Sequence, residues 1–328
     1  MKSDDLVAVD CNLCGNPAVN QKDLIQAPLQ RKIRSHFNDL KQTSFKICPN
    51  CGLVFLSPRP PEERFLAYYR SVNHKPKQHE EIIRNEEANS WYHHEVMAFL
   101  EQHLNLATGA RICDVGCGYG SLLHLLKERY QGGTVGVELS TEAAAFASAH
   151  YKLDIQQGRL DDVINSESFD LLVSVAVVEH LIDPLKSLRQ MAELVKPGGH
   201  LLIIVPDLES LNLSPHKGER LQTVFKIVHL YYFTYKTLAA MLVRVGLTPI
   251  KNRKFSRIKK QGELWLLARK GGDAQCSADL TPNWRELQRY VRRKTLWPRV
   301  VALLERIGLT IMSDKMAQQI HRYLVGKK

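Results

Sequence analysis

Residues 114–120 read "DVGCGYG", set between an apolar run that ends at Val115 and the helical pattern "SLLHLLKERY" of 121–130. Three glycines between a strand and a helix let the backbone approach a bound nucleotide and aim the first helical N–H groups at it. The surrounding chain alternates. "RICDVG" (111–116), "TVGVEL" (134–139) and the short "DIQQG" (154–158) read as strands, and "FDLLVSVAV" (169–177) and "HLLIIVP" (200–206) as buried strands. Helical patterns lie between them: 120–130, "TEAAAFASAHY" (141–151) behind a Ser140/Thr141 cap, 183–195 closed by "KPGG", and "KTLAAMLVRVG" (236–246). This order predicts an α/β, Rossmann-like, seven-stranded and mostly parallel sheet with helices on both faces. Its ligand site should lie at the strand carboxyl ends, beside the first strand. "LTPIKNRKF" (247–255) and "ELWLLARK" (263–270) have no helix between them, so at least one should run antiparallel.

Outside this core the chain changes character. Cys11 and Cys14 form "CNLCG", and Cys48 and Cys51 form "CPNCG". Two C-x-x-C-G knuckles can turn four thiolates onto one ion, which predicts a closed, structural zinc site that staples a small module. The 33 residues between Cys14 and Cys48 should form strands and a loop of their own; Cys113, Cys117 and Cys276 are left over. The expected division is a zinc-ribbon-like module over 1–60, a linker and lid helix over 61–105, the α/β domain over 106–272 and a basic helical tail over 273–328. Pro298 interrupts the helical pattern of that tail.

With 44% hydrophobic and 24% charged residues, the 328-residue chain has the composition of a soluble globular protein. "MKSDDLVAVD" carries no signal pattern, and no apolar run is long enough for a membrane span, so a cytoplasmic location is expected. The net charge of +11 is concentrated late: 251–260 holds six basic residues and no acid, and 281–328 carries eleven Lys/Arg against three Asp/Glu. That basicity points to an anionic neighbour. Val300, Val301, Leu304 and Ile307, flanked by Arg292, Arg293, Lys294, Arg299 and Arg306, suit an interfacial helix at an anionic membrane surface, peripheral to its inner face. Nucleic acid is the rival partner, and packing on the core or on a second subunit the plain alternative.

The loop spacing is G-x-G-x-G (Gly116, Gly118, Gly120), not the dinucleotide G-x-G-x-x-G. Asp114 at its entrance would oppose a pyrophosphate but could accept from the ammonium of a methionine moiety. Glu138, ending the second strand, can accept from both ribose hydroxyls. Nicotinamide enzymes use such an acid as well, so of the two Asp114 alone favours S-adenosylmethionine over a nicotinamide or flavin dinucleotide. "DVGCGYG", "GVELS", "GRLDDV", "FDLLVSVAVVEHLIDPLKSL", "LVKPGGHLLIIVPD" and "YYFTYKTLAAMLVRVGL" together resemble class I S-adenosylmethionine-dependent methyltransferases over about residues 85–270. The start, ending in "CPNCGLVFLSPRP", resembles the zinc-ribbon subgroup among sugar and polysaccharide methyltransferases.

The resemblance implies a role for each matching residue. Gly116, Cys117, Gly118 and Gly120 would approach the methionine part, Asp114 would hold its amino group, and Glu138 with Leu139 would meet the ribose. Leu160 and Asp161 would contact the adenine, and Val175 with Ala176 would lie beneath the sulfonium. A sugar hydroxyl needs a placed base or an acidifying metal. His180, oriented by Glu179, is the first candidate base and His229 the second. The "EH" pair is similar to that of ubiquinone-biosynthesis O-methyltransferases, which implies a divalent ion at Glu179/His180 as a variant; a mere helix cap is the structural alternative. Tyr231, Tyr232 and Phe233 offer either stacking faces for an acceptor or packing onto the sheet, and His93 and His94 read as solvated or lid residues. The expected activity is O-methylation of a sugar or another small or carrier-linked acceptor in surface-glycan or secondary-metabolite assembly. An RNA methyltransferase and a non-catalytic S-adenosylmethionine-binding scaffold are the alternatives.

Overall fold

A computed structural model describes residues 6–30, 33, 36–37, 39–72, 79–163, 168–210, 224–256, 262–271 and 284–306. Seven strands form the main sheet: β4 (Ile112–Val115), β5 (Thr134–Glu138), β6 (Asp154–Gln157), β7 (Phe169–Val175), β8 (Val195–Pro206), β10 (Leu247–Phe255) and β11 (Glu263–Lys270). Their order is β10-β11-β8-β7-β4-β5-β6, and only β11 runs against the others. The order reverses beside β4, which places the loop after it at the switch point where such sheets bind ligands. The apolar runs of β4, β7 and β8 are buried on both faces, as a covered parallel sheet requires.

Helices cover both faces. On one side α2 (His79–His103) lays Tyr92, Val96, Phe99 and Leu100 against α3 (Ser121–Tyr130) and Trp265 of β11. On the other, α6 (Pro184–Leu194) and α7 (Tyr235–Arg244) bury Leu188, Met191, Leu238 and Met241. Capping residues explain where helices begin. Ser140 caps α4 (Thr141–Tyr151), Asp183 caps α6 ahead of Pro184, and Thr234 with Thr237 forms a capping box on α7. The "KPGG" stretch does not stand between helix and strand as expected: β8 already starts at Val195 and carries it, with a register shift against β7. A short helix, α5 (Leu160–Val163), follows β6.

The cysteine-rich start forms a second sheet. β1 (Lys22–Pro28), β2 (Gln42–Ile47) and β3 (Val54–Leu56) are antiparallel, and a fourth strand, β9 (Tyr231–Tyr232), joins β3 from far along the chain. Tyr231, Tyr232 and Phe233 are therefore buried and offer no stacking face to an acceptor. The Tyr231 and Tyr232 rings pack on Phe45, Phe55 and Phe225 instead, and the Phe233 ring stacks on Tyr231. α1 (Glu62–Val72) follows this sheet.

The tail helix α8 (Trp284–Arg306) lies against β1, with Leu287 and Val291 buried, and Gln288 and Arg292 donate to the Asp23 carbonyl. It runs through Pro298, contrary to the expected interruption. A proline removes one helical hydrogen bond but need not end a helix. Ile307 and Cys276 lie outside the described residues, and of the 296–306 stretch only the helical backbone is described.

Candidate active site and thiol cluster

The loop after β4 is built by backbone contacts. Gly116 N–H donates to the Val137 carbonyl at 2.8 Å, and Gly118 N–H donates to Glu138 Oε2 at 2.9 Å. Gly116 has φ +79°, and a Cβ there would stand 2.3 Å from Val177 Cγ2. Only glycine satisfies both limits. Glu138 Oε1 accepts from Ser140 N–H at 2.7 Å, so one oxygen is bonded to the loop, the other to the cap of α4, and each keeps a lone pair for a hydroxyl. Cys117 and Leu139 are half-buried beside it.

Asp114 is buried, and its Oδ1 has no hydrogen-bond partner among the described residues. Burial, with the nearby Glu138 charge, lifts its carboxyl to about 7. An orphaned buried carboxylate at a glycine loop fits a cationic ligand such as the methionine ammonium group. Val175 ends β7 half-buried. Leu160 is half-buried against the main core, and Asp161 accepts from Lys186 Nζ at 2.6 Å, which holds its carboxyl below the usual range.

Next to this loop, β7 ends in a tight turn. Ala176 adopts φ +56°, a costly conformation for a residue with a Cβ. It swings the chain into a 3₁₀ turn over Val178–His180. Glu179 is buried, its Oε2 has no partner among the described residues, and burial pushes its carboxyl up to about 8. His180 Nδ1 lies 2.7 Å from the Val228 carbonyl. A carbonyl can only accept, so Nδ1 carries the proton and Nε2 keeps the lone pair. Nε2 faces Glu179 Oε1 at 3.8 Å.

His229 is buried with an unpartnered Nδ1, and its ring meets that of His180 at 4.8 Å, nearly perpendicular. Burial drives His180 down to about 4 and His229 down as well, so both rings are neutral near pH 7. One ligand atom from each of Glu179, His180 and His229 lies within 4.8 Å of the others. The cluster does not cap the next helix, since Asp183 does that.

The sequence did not indicate Tyr69, on α1, whose hydroxyl lies 2.9 Å from His180 Nδ1 and donates to the Val228 carbonyl at 3.3 Å. No local pattern marks it, because the contact is made by the fold. His93 is half-buried and His94 exposed on α2, outside this cluster.

The four N-terminal cysteines also converge. Cys11 and Cys51 Sγ are 3.4 Å apart, and Cys14 and Cys48 Sγ 3.5 Å. A tetrahedral site with metal–sulfur bonds of about 2.3 Å has sulfur–sulfur edges of about 3.8 Å, so the donor set fits zinc. Both knuckles have the same turn: Gly15 N–H donates to the Cys11 carbonyl and Gly52 N–H to the Cys48 carbonyl, each at 2.8 Å. Hydrogen bonds from the Cys11 and Cys51 thiols hold Cys48 low, whereas Cys11 is raised to about 12 by its bond to Cys48. Cys51 is pushed up as well by its bonds to Cys11 and Cys48, so of these three Cys48 alone is held toward thiolate, the form that binds metal.

A methyltransferase-domain family model matches residues 87–252. The ubiquinone biosynthesis O-methyltransferase of Aliivibrio fischeri is 32% identical over 111 residues, 31% of this chain and 47% of that protein. That of Vibrio parahaemolyticus is 35% identical over 101 residues, 28% and 42% respectively. The chain thus spans less than half the length of these curated relatives. Among solved structures, the 1,6-didemethyltoxoflavin-N1-methyltransferase of Burkholderia thailandensis is similar, with 18% identity, a TM-score of 0.47 and coverage of 70% of this chain and 96% of that one. A Mesorhizobium loti S-adenosylmethionine-dependent methyltransferase gives 20%, 0.44, 53% and 96%. The family match takes in half of the sequence, including both the glycine loop after β4 and the strained turn after β7, and on that ground the chain belongs to the S-adenosylmethionine-dependent methyltransferases.

Proposed function

We propose that the protein is an O-methyltransferase acting on a sugar or another small or carrier-linked acceptor in surface-glycan or secondary-metabolite assembly. The observation that carries this reading is the Glu179–His180–His229 cluster, standing one turn beyond Val177, which touches the cofactor loop at Gly116. S-adenosylmethionine supplies a methyl group on a sulfonium, already activated for displacement. The protein's part is to orient the acceptor and take its proton. Asp114, Glu138 and the Gly116–Gly120 backbone hold the cofactor. His180 Nε2, kept unprotonated by burial and aimed by the Val228 carbonyl, takes the hydroxyl proton.

A second reading of the same cluster is favoured by the two orphaned atoms, Glu179 Oε2 and His229 Nδ1. One donor atom from each of Glu179, His180 and His229 lies within 4.8 Å of the others, a set that suits a divalent ion, which would acidify the hydroxyl directly. The four cysteines hold a structural zinc ion in this proposal. The relatives' printed activity, O-methylation in ubiquinone biosynthesis, supports transfer to oxygen.

The test is incubation of the full chain with labelled S-adenosylmethionine and fractionated cell-envelope or small-molecule extracts. Label should enter an alkali-stable ether, and His180→Ala should lower turnover by about 10²-fold or more. Undiminished turnover in both His180→Ala and His229→Ala overturns the base assignment. Loss of activity on dialysis against a chelator, restored by magnesium or manganese but not zinc, selects the divalent-ion reading.

A further inference from the structure

Asn12 stands between the two cysteines of the first knuckle, yet its side chain is spent on the other domain. Its Nδ2 donates to Asp183 Oδ1 at 2.8 Å, and its Oδ1 accepts from Leu185 N–H at 2.9 Å. Both partners lie at the start of α6, directly after the turn that carries His180. A second link is independent of the first. Arg59, buried just beyond β3, donates to the Ile182 carbonyl at 3.0 Å and to the Tyr231 hydroxyl at 3.2 Å. That hydroxyl in turn donates to the same Ile182 carbonyl at 3.1 Å. A third link is the sheet itself: β3 pairs with β9, and Leu56 N–H donates to the Leu230 carbonyl at 2.9 Å. The segment leaving His180 and the segment following His229 are thus each fastened to the cysteine module and, through Arg59 and the Tyr231 hydroxyl, to one another.

We propose that the cysteine module, with Asn12 and Arg59 as positioning residues, sets the geometry of that cluster, so that metal loading at the four cysteines governs whether the acceptor side of the site is ordered. The proposal rests on the reading of those cysteines as a zinc site. The knuckle of residues 11–15 is short, and the ion would tie it to the second knuckle at 48–52. Removal of the ion frees Asn12 to leave the α6 cap and slackens the β3 edge on which β9 rests. The loop after β4 has no contact with the module through these links, so cofactor binding should be insensitive to it. This separates the two halves of the site.

The test is amide hydrogen exchange on the full chain, zinc-loaded and after chelation, with calorimetry of S-adenosylmethionine binding on the same samples. On chelation, amides of 181–187 and 229–233 should exchange at least about tenfold faster, while those of β4 and β5 keep their protection and cofactor affinity stays within about twofold. Asn12→Ala should retain its zinc, by elemental analysis, and still show faster exchange at 183–187; Asn12→Asp, which keeps the acceptor for Leu185 N–H but sets a second carboxylate against Asp183, should not restore that protection. Unchanged protection of both segments in the metal-free chain overturns the proposal, as does an Asn12→Ala variant indistinguishable from the parent. A chain that takes up no zinc at all overturns the zinc reading instead, and the Asn12→Ala comparison still decides whether the knuckle positions the cluster. If chelation unfolds the whole chain, the zinc-loaded Asn12→Ala result decides alone.

Discussion

Asp114 is a carboxyl group waiting for a positive charge. Burial holds it at about 7, so near neutrality half of the free protein carries it protonated. A bound ammonium group favours the ionised form, and binding must therefore expel a proton below about pH 7. Cofactor affinity should weaken up to about tenfold for each pH unit below that point and level off above about pH 8. Calorimetry across pH checks this; Asp114→Asn should bind at least about tenfold more weakly and lose the pH dependence. Glu179 follows the same physics with another consequence. Its folded carboxyl, raised to about 8 from an ordinary 4.5, keeps a proton that the unfolded chain releases. The stability it confers is present at acid pH and is lost as pH rises through about 8. Glu179→Gln removes that slope, so the parent's melting temperature should fall between about pH 4.5 and 8 and level off above, while the variant's stays nearly level. A divalent ion that raises the parent's melting temperature at pH 8 but not the variant's would locate the ion at this carboxylate.

Elements carry what single residues cannot. The strands of the main sheet and the helices α3, α4, α6 and α7 were legible because each is a patterned run of four to twelve residues, and the Ser140 cap marks where one of those helices starts. The glycine loop was legible for the same local reason. The fourth strand of the small sheet was not: Tyr231–Tyr232 is too short for a pattern, and its pairing with β3 is set by distant residues. Three neighbouring aromatics suit a binding face and a core equally well in sequence; the fold puts them in the core. Glu179, His180 and His229 could be named by type, but their meeting depends on the β9 segment folding back over the turn after β7. The loop and that turn meet where Gly116 faces Val177. Gly116→Ala should therefore both weaken cofactor binding, by about tenfold or more, and displace the Glu179 turn. The backbone strain alone is about 1–2 kcal/mol. Gly116→Ala combined with Val177→Ala should recover part of the binding, and no recovery would mean that the left-handed backbone alone sets the loss.

At the scale of the whole molecule, the cysteine module, the methyltransferase domain and the tail share one buried core, in which Phe45, Met191 and Val291 belong to the same cluster. The tail helix uses its apolar side to pack on β1, so Leu287→Ala should cost about 2 kcal/mol of stability, read as a lowered melting temperature. Its opposite side presents Arg285, Arg289 and Arg293, all exposed, and no ion pair to an acidic side chain is found for them among the described residues. No helix among those residues is long and apolar enough to cross a membrane. An arginine face fixed to the body of the protein is suited to lie on an anionic lipid surface, where each basic side chain contributes about 1 kcal/mol. The full chain should co-sediment with phosphatidylserine-containing vesicles at low salt and be released as the screening length shrinks from about 10 Å at 0.1 M to about 3 Å at 1 M. Arg289→Glu with Arg293→Glu should abolish that binding without lowering the melting temperature, because neither side chain is buried. Equal binding to neutral vesicles, or retention by the double variant, would rule out this face; preferential, equally salt-dependent binding of RNA would assign the arginines to nucleic acid.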